Sequence, residues 1–215
     1  MEQEYLAEFD RTGGDNLAKF ISLILHPLLM PTYAFALIFF TKNYYSTFTP
    51  LNYKVALVGV TFLFTFMLPT INAFILLKMG RIKSLEMKTT AERVVPYGST
   101  AVYYFALYYM FYERHLPGVL QIIILGAAIS ILLSLLINYR WKISAHTIGI
   151  GGIAGATLGI IYRLQLDFSF ILMFVILLAG IVASARLKLK SHTPAQVYTG
   201  FLLGFAVELL LMFFY

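Results

Sequence analysis

The sequence contains no cysteine and few charged residues, and each scarcity excludes a class of protein. Without cysteine, the 215-residue chain holds no disulfide bond. Charged residues make up 12% of the chain and apolar residues 60%, and the mean hydropathy is +0.81. This composition does not suit the surface of a soluble globular domain. We therefore expect an integral membrane protein.

The apolar residues fall into runs of the length that a membrane crossing requires. A helix needs about 20 apolar residues to cross a hydrocarbon core of about 30 Å. Seven segments qualify, at about 17–41, 54–77, 95–112, 117–138, 145–162, 168–185 and 196–214. The third is rich in tyrosine, which favours interfaces and helix contacts, so a partly re-entrant segment is an alternative there. The expected fold class is all-α, a polytopic transmembrane bundle of about six or seven helices.

No linker, sequence repeat or change of composition divides the chain. We expect a polar, acidic tail at 1–15 and a single transmembrane helical domain at 16–215. The tail lacks the basic region and short apolar core of a cleaved signal peptide. The first span is therefore expected to remain in the protein as an anchor.

Lysine and arginine are distributed unequally between the two ends of the predicted bundle. Seven crossings put the N-terminal tail and the connections near 78–94, 139–144 and 186–195 on one face, here called the cation-rich face. It carries twelve of the sixteen cations, and the positive-inside rule places it in the cytoplasm. The net charge of +6 suits anionic lipid headgroups rather than nucleic acid. We expect a prokaryotic inner-membrane protein, and the sequence is compatible with a homo-oligomer.

The last of three polar strips on the cation-rich face precedes the seventh span. Five residues separate Arg186 from His192, and three more separate His192 from Gln196. Thr193 as N-cap and Pro194 as the first helical residue indicate a helix start. His192 lies just ahead of that start, where free N–H groups and the helix dipole favour an anion. Gln196 is also placed to close a capping box, which is the structural alternative to a chemical role.

The other two strips carry a second histidine and further cations. Ser144 is a natural N-cap, and His146 then lies in the first turn of the following helix. Lys88 and Arg93 come shortly before the third span. A solvated interfacial histidine and topology-setting loop cations are the plain alternatives for these residues.

In this order, the three strips resemble the signature motifs of the membrane-bound type 2 phosphatidic acid phosphatase superfamily. Ser144-Ala145-His146 resembles its Ser-Gly-His motif. The run from Arg186 to Gln196 resembles its third motif, in which an aspartate stands where this chain has Gln196. The first motif is matched loosely, with four residues between Lys88 and Arg93.

The resemblance implies a metal-independent phosphatase that needs no cofactor. Its substrate would be a lipid phosphate, such as a prenyl diphosphate or phosphatidate, and the reaction would pass through a phosphohistidine. The implied catalytic residues are His192 as nucleophile, His146 as general acid and Gln196 in place of the carboxylate partner of the nucleophile. The implied phosphate-binding residues are Lys88, Arg93, Ser144 and Arg186.

Gln196 leaves more than one function open. Its carbonyl accepts the same N–H as an aspartate but brings no charge, and the comparable change in a serine protease triad costs about 10⁴ in rate. A lipid phosphatase is the leading expectation. A catalytically inactive relative that binds or moves a lipid phosphate is the alternative, and a small transporter unrelated to phosphate is a third.

Four other polar residues have less specific settings. His26 and His115 are expected to be structural or interfacial. Asn72 and Glu208 lie within predicted spans, where polar side chains are suspected of lining a lipid or proton path. Glu208 is about 18 Å along its helix from Gln196, too far to replace the missing carboxylate.

Glycines recur every four residues in two of the predicted spans. Gly151, Gly155 and Gly159 lie in the fifth span, and Gly200 and Gly204 lie in the seventh. Such stripes let helices approach closely in a membrane. We expect these spans to pack together and to bring the helix starts near 144 and 193 into proximity.

Overall fold

Helices account for nearly all of the regular structure. The computed structural model describes residues 14–85, 87 and 89–214, and this part of the chain contains no β-strand. The helices are α1 (14–24), α2 (Met30–Phe40), α3 (Tyr44–Phe48), α4 (Leu51–Phe62), α5 (Leu68–Lys78), α6 (Thr90–Glu113), α7 (Gly118–Asn138), α8 (Ala145–Leu164), α9 (Ser169–Lys188) and α10 (Pro194–Phe214). A 3₁₀ turn occupies Pro27–Leu29, and a π-helical segment occupies Leu63–Met67.

The prediction of an all-α polytopic membrane bundle is confirmed. Within the described residues, six stretches are long and apolar enough to cross a membrane: Gly14–Phe40, Leu51–Lys78, Gly118–Asn138, Ala145–Leu164, Ser169–Lys188 and Pro194–Phe214. Helix α6 has 24 residues but is more polar than these six. It is continuous, and a hydrogen bond from Arg93 in its first turn to Asn138 at the end of α7 sets the two helices antiparallel. Helix α6 is therefore one unbroken helix that packs antiparallel beside α7.

The first predicted span is interrupted near its middle. His26 precedes Pro27 and takes an extended backbone conformation, with φ −68° and ψ 137°. Residues before proline are driven out of the helical region in this way. Helix α2 then starts at Met30, with Pro31 in its first turn, where the missing N–H costs nothing.

The second predicted span contains the π-helical segment, immediately before Pro69. The N–H of Leu68 bonds back five residues to the carbonyl of Leu63. Pro69 has no N–H and so offers no α-helical donor to the carbonyl of Thr65. Tyr104 of α6 donates its hydroxyl to that carbonyl at 3.2 Å. The irregular turn is thereby bound to α6 inside the bundle.

Helices α8 and α10 approach to backbone contact. A Cβ atom at Gly155 would overlap the carbonyl of Phe205, and one at Gly204 would overlap the carbonyl of Ile148. Gly151 faces the preceding turn of α10 in the same manner. The expectation that the glycine stripes join these two spans is confirmed, and their packing fixes the helix starts beside each other.

Candidate functional site

Described residues of all three polar strips meet at one end of the bundle, the cation-rich end. Arg93 Nη1 donates to Asn138 Oδ1 at 2.9 Å and joins α6 to α7. Lys142 Nζ, in the connection from α7 to α8, donates to the Ser191 carbonyl at 3.0 Å, between α9 and α10. These bonds gather three connections into one cluster.

The start of α10 holds the His192 ring. The Nδ1 atom of His192 lies 3.2 Å from Gln196 Oε1, and that oxygen also accepts the Thr193 N–H at 3.1 Å. Because an amide oxygen only accepts, the ring donates through Nδ1, and its neutral form carries the lone pair on Nε2. The Gln196 N–H lies 3.4 Å from Thr193 Oγ1, which completes the predicted capping box. Gln196 therefore stabilises the helix start and orients the imidazole together.

The surroundings of His192 favour its neutral form. Burial first, and then the positive charges of Arg186 and Lys142, lower the pKa of His192 from 6.5 to about 4. The hydrogen bond to Gln196 acts in the opposite direction. At neutral pH the ring is therefore unprotonated at Nε2, as a nucleophile requires.

Ser22 of α1 contacts both His146 and Arg186. The Nε2 atom of His146 lies 3.0 Å from the Ser22 carbonyl, which only accepts, so the ring donates from Nε2. Arg186 Nη1 donates to Ser22 Oγ at 3.2 Å. One residue of α1 thus presents a separate oxygen atom to each of these two side chains.

His26 belongs to the cluster, although the sequence interpretation leaves it out of the site. Its ring packs edge-on against that of His146, with centroids 5.5 Å apart. Its Nδ1 atom accepts the Leu28 N–H at 3.3 Å, so it caps the 3₁₀ turn as a structural histidine does. The proline that follows it is the sequence signal, since it ends α1 at the level of the site.

The other residues predicted to bind phosphate are Arg93, Ser144 and Lys88, and their surroundings differ. Arg93 is 6% exposed, and its Nε atom also donates to the Met87 carbonyl at 3.0 Å. Ser144 stands at the N-cap position of α8, but its buried hydroxyl has no hydrogen-bond partner among the described residues. Its backbone N–H lies 3.4 Å from the Gln196 carbonyl, so it ties α8 to α10. Lys88 lies outside the described residues.

Asn138 is a supporting residue that the sequence interpretation misses. Besides accepting from Arg93, its Oδ1 atom accepts the Ile143 N–H at 3.3 Å. Its Nδ2 atom donates to the Ser134 carbonyl at 2.8 Å. A polar residue in the last turn of an apolar helix is the only sequence signal. Asn138 fixes the Arg93 guanidinium through a bond to a charged group, the stronger kind of hydrogen bond.

The cluster forms one end of a cavity of about 950 Å³. Its cationic end is lined by His26, Arg93, Lys142, His146, Arg186 and His192. Its apolar end extends between the helices and is lined by residues that include Ala34, Ile123, Ala127, Ile153 and Ala156. The cavity therefore offers a phosphate-sized group and a hydrocarbon group separate surroundings.

Asn72 and Glu208, the two polar residues within predicted spans, have different surroundings. Asn72 Nδ2 donates to Ser99 Oγ at 2.6 Å and joins α5 to α6. Glu208 is 3% exposed and lines the apolar end of the cavity. Of the two, only Glu208 lies on the cavity wall.

Neither a protein-family model, nor a curated protein, nor a solved structure matches this chain. The cavity and its side chains are therefore the basis for assigning a function. They combine two imidazoles held in defined tautomers, a guanidinium beside them, and an apolar space that continues into the bundle.

Proposed function

We propose that the protein is a membrane phosphatase that hydrolyses a lipid phosphate or a prenyl diphosphate through a phosphohistidine. The cavity is the observation that carries the proposal, because histidines and arginines line one end and apolar side chains line the other. A ligand with an anionic phosphate and a hydrocarbon tail is complementary to both ends. The resemblance of the three strips to the type 2 superfamily motifs agrees with this chemistry.

His192 is the nucleophile in the proposed reaction. Its Nε2 lone pair forms a bond to phosphorus while the bond from phosphorus to the lipid oxygen breaks. The negative charge of the bound phosphate favours the imidazolium form of His146, which gives its Nε2 proton to the departing oxygen after the phosphate has replaced the Ser22 carbonyl as its neighbour, and His146 is left as a neutral imidazole. Water then attacks phosphorus, releases His192 and returns a proton to His146.

Arg186 binds the phosphate oxygens in this scheme. A guanidinium offers donors in a planar fork that matches such oxygens. The Ser22 hydroxyl, which now accepts from Arg186, occupies the position proposed for one of them. Arg93 adds a fixed positive charge, and Lys88 and Ser144 belong to the same proposed phosphate-binding set.

A catalytically inactive protein that binds or transports a lipid phosphate is the second candidate. Gln196 favours it, because the side chain that holds His192 is neutral. No negative charge from Gln196 then stabilises the cation that develops on the ring. The cationic end would still bind a phosphate in such a protein.

Phosphate release separates the candidates. The detergent-purified protein is assayed without added metal on prenyl diphosphates and phosphatidate, together with His192→Ala and Gln196→Asp. We expect release by the parent protein and none by His192→Ala. Release by Gln196→Asp alone would instead identify the binding protein, and release that survives His192→Ala would exclude the phosphohistidine.

We further propose that the cationic end faces the cytoplasm of a prokaryotic inner membrane. The excess of lysine and arginine on the connections at this end supports that orientation. The substrate headgroup would then be drawn from the cytoplasmic leaflet.

A further inference from the structure

The apolar end of the cavity contains two buried polar side chains that the proposed reaction does not use. Glu208 of α10 is 3% exposed and Ser130 of α7 is 4% exposed, and both line the cavity. Neither Glu208 Oε2 nor Ser130 Oγ has a hydrogen-bond partner among the described residues. Leaving such a group unpaired costs about 1–3 kcal/mol, so two on one wall indicate a missing partner.

Helix α7 is shaped to receive the carboxyl group. A Cβ atom at Gly126 would lie 2.5 Å from Glu208 Cδ and 2.6 Å from each carboxyl oxygen. The carboxyl group therefore occupies the place of a side chain at Gly126. Ser130 follows Gly126 by about one turn on the same face of α7. The two polar groups thus border one space without bonding to each other.

This space is far from the cationic end. Glu208 follows Gln196 by twelve residues, and twelve residues of helix measure about 18 Å. A phosphate beside His192 would reach the pair only through an extended hydrocarbon chain. Glu208 and Ser130 therefore lie where they can contact a polar group on the hydrocarbon chain of the ligand.

We propose that Glu208 and Ser130 form a second binding site, which takes a hydroxyl group on the hydrocarbon part of an amphiphile whose phosphate lies at the cationic end. A hydroxyl group donates one hydrogen bond and accepts others, so it satisfies a carboxyl oxygen and the serine hydroxyl together. A neutral hydroxyl group suits the apolar walls, which would not replace the hydration of a charged group. The inference rests on the proposed function only in placing the phosphate end.

Two phosphonates that differ by one hydroxyl test the second site. Dodecyl phosphonate and ω-hydroxydodecyl phosphonate are titrated into the full-length protein in nanodiscs, and neither has a phosphorus–oxygen–carbon bond to hydrolyse. We expect the parent protein to bind the hydroxylated chain at least as tightly as the plain one. Glu208→Leu should weaken the hydroxylated chain about 10-fold relative to the plain one, which corresponds to about 1.4 kcal/mol.

Conservative variants keep the test independent of folding defects. Glu208→Gln retains a donor and an acceptor and should preserve the ratio of the two affinities. Ser130→Ala should change the ratio of the two affinities in the same direction as Glu208→Leu. It replaces that variant in the test if Glu208→Leu is not monodisperse. Any of three results would overturn the inference. The ratio of the two affinities is unchanged by Glu208→Leu and Ser130→Ala, the parent protein binds the plain chain more tightly, or it binds neither chain. Failure of the proposed function is distinct, since it would appear as no phosphate release while the ratio still depends on Glu208.

Discussion

At the scale of single residues, one oxygen atom of Gln196 accepts two hydrogen bonds. It accepts the Thr193 N–H that begins α10 and the His192 N–H that sets the tautomer of the ring. Substitution to aspartate supplies a charged acceptor on a side chain shorter by one methylene, whereas substitution to alanine removes both acceptor contacts. The residue is therefore both a helix cap and the partner of the proposed nucleophile.

The acid limb of the pH–rate profile should report His192. The proposed reaction needs the neutral ring of His192, whose pKa is lowered to about 4 by burial and by neighbouring cations. We expect kcat/KM for phosphatidate to hold as the pH falls below 6.5 and to decline only as it passes through about 4. In Gln196→Asp the added negative charge raises the pKa of His192, so the decline should begin at higher pH. A decline of the parent protein centred at 6.5 would contradict the assignment.

Ser22 should compete with the substrate for Arg186. Its hydroxyl accepts from Arg186 Nη1, and Ser22→Ala removes that hydroxyl while leaving the backbone carbonyl on His146. We expect KM for phosphatidate to fall about 2- to 10-fold, the equivalent of one net hydrogen bond of about 0.5–1.5 kcal/mol. Initial-rate measurements check this, with Ser46→Ala in α3 as a matched control. A raised KM would show instead that Ser22 helps to bind the substrate.

At the scale of helices, the contact between α8 and α10 sets the distance between the two histidines. His146 is in the first turn of α8, and His192 lies two residues before the first residue of α10. A larger side chain at this contact would push the helices apart and would therefore move one imidazole relative to the other. The glycines in the contact therefore control the geometry of a site that begins beside Gly200.

Gly155→Ala should lower both thermal stability and phosphate release. The new Cβ atom would overlap the backbone carbonyl of Phe205, which cannot turn aside as a side chain does. Overpacking of this kind costs about 1–3 kcal/mol. Gly180→Ala in α9 is the matched control, because nothing lies within 4 Å of its Cβ position. Thermal denaturation in detergent and the release assay measure the two effects, and equal behaviour of both variants would contradict this packing argument.

The later helices were predictable from the sequence because hydrophobic length and caps agree there. The predicted span 117–138 is Gly118–Asn138 in the structure, and 168–185 is Ser169–Lys188. Helix α6 begins at Thr90 rather than near 95, because Thr89 and Glu92 form a capping box ahead of the apolar stretch. Hydropathy alone does not register that signal.

The site was predictable only where a motif surrounded a residue. His192 and His146 follow helix-start patterns, and their spacing from other polar residues directs attention to them. Ser22, His26 and Asn138 reach the cluster through packing between distant segments, and the local signals at His26 and Asn138 do not show which segments they meet. The π-helical segment likewise depends on how its span packs, although Pro69 marks its end.

At the scale of the whole molecule, orientation can be tested cleanly because the chain has no cysteine. Lys83, between α5 and α6, and Lys42, between α2 and α3, are exposed at opposite ends of the α4–α5 span. In intact cells, a membrane-impermeant maleimide should label Lys42→Cys and should label Lys83→Cys only after permeabilisation. The reverse pattern would place the cationic end outside the cytoplasm.

Helix α9 gives the bilayer itself a part in the proposed chemistry. Four of its side chains are buried, Val175, Ala179, Val182 and Ala185, and they form one narrow stripe. Most of its remaining surface is available to lipid, yet its last turn carries Arg186. Tilt of a helix follows hydrocarbon thickness where neighbouring helices constrain it little. The position of Arg186, the arginine proposed to bind phosphate, would then vary with the acyl-chain length of the host membrane, and the lipid composition of a cell would regulate the proposed reaction.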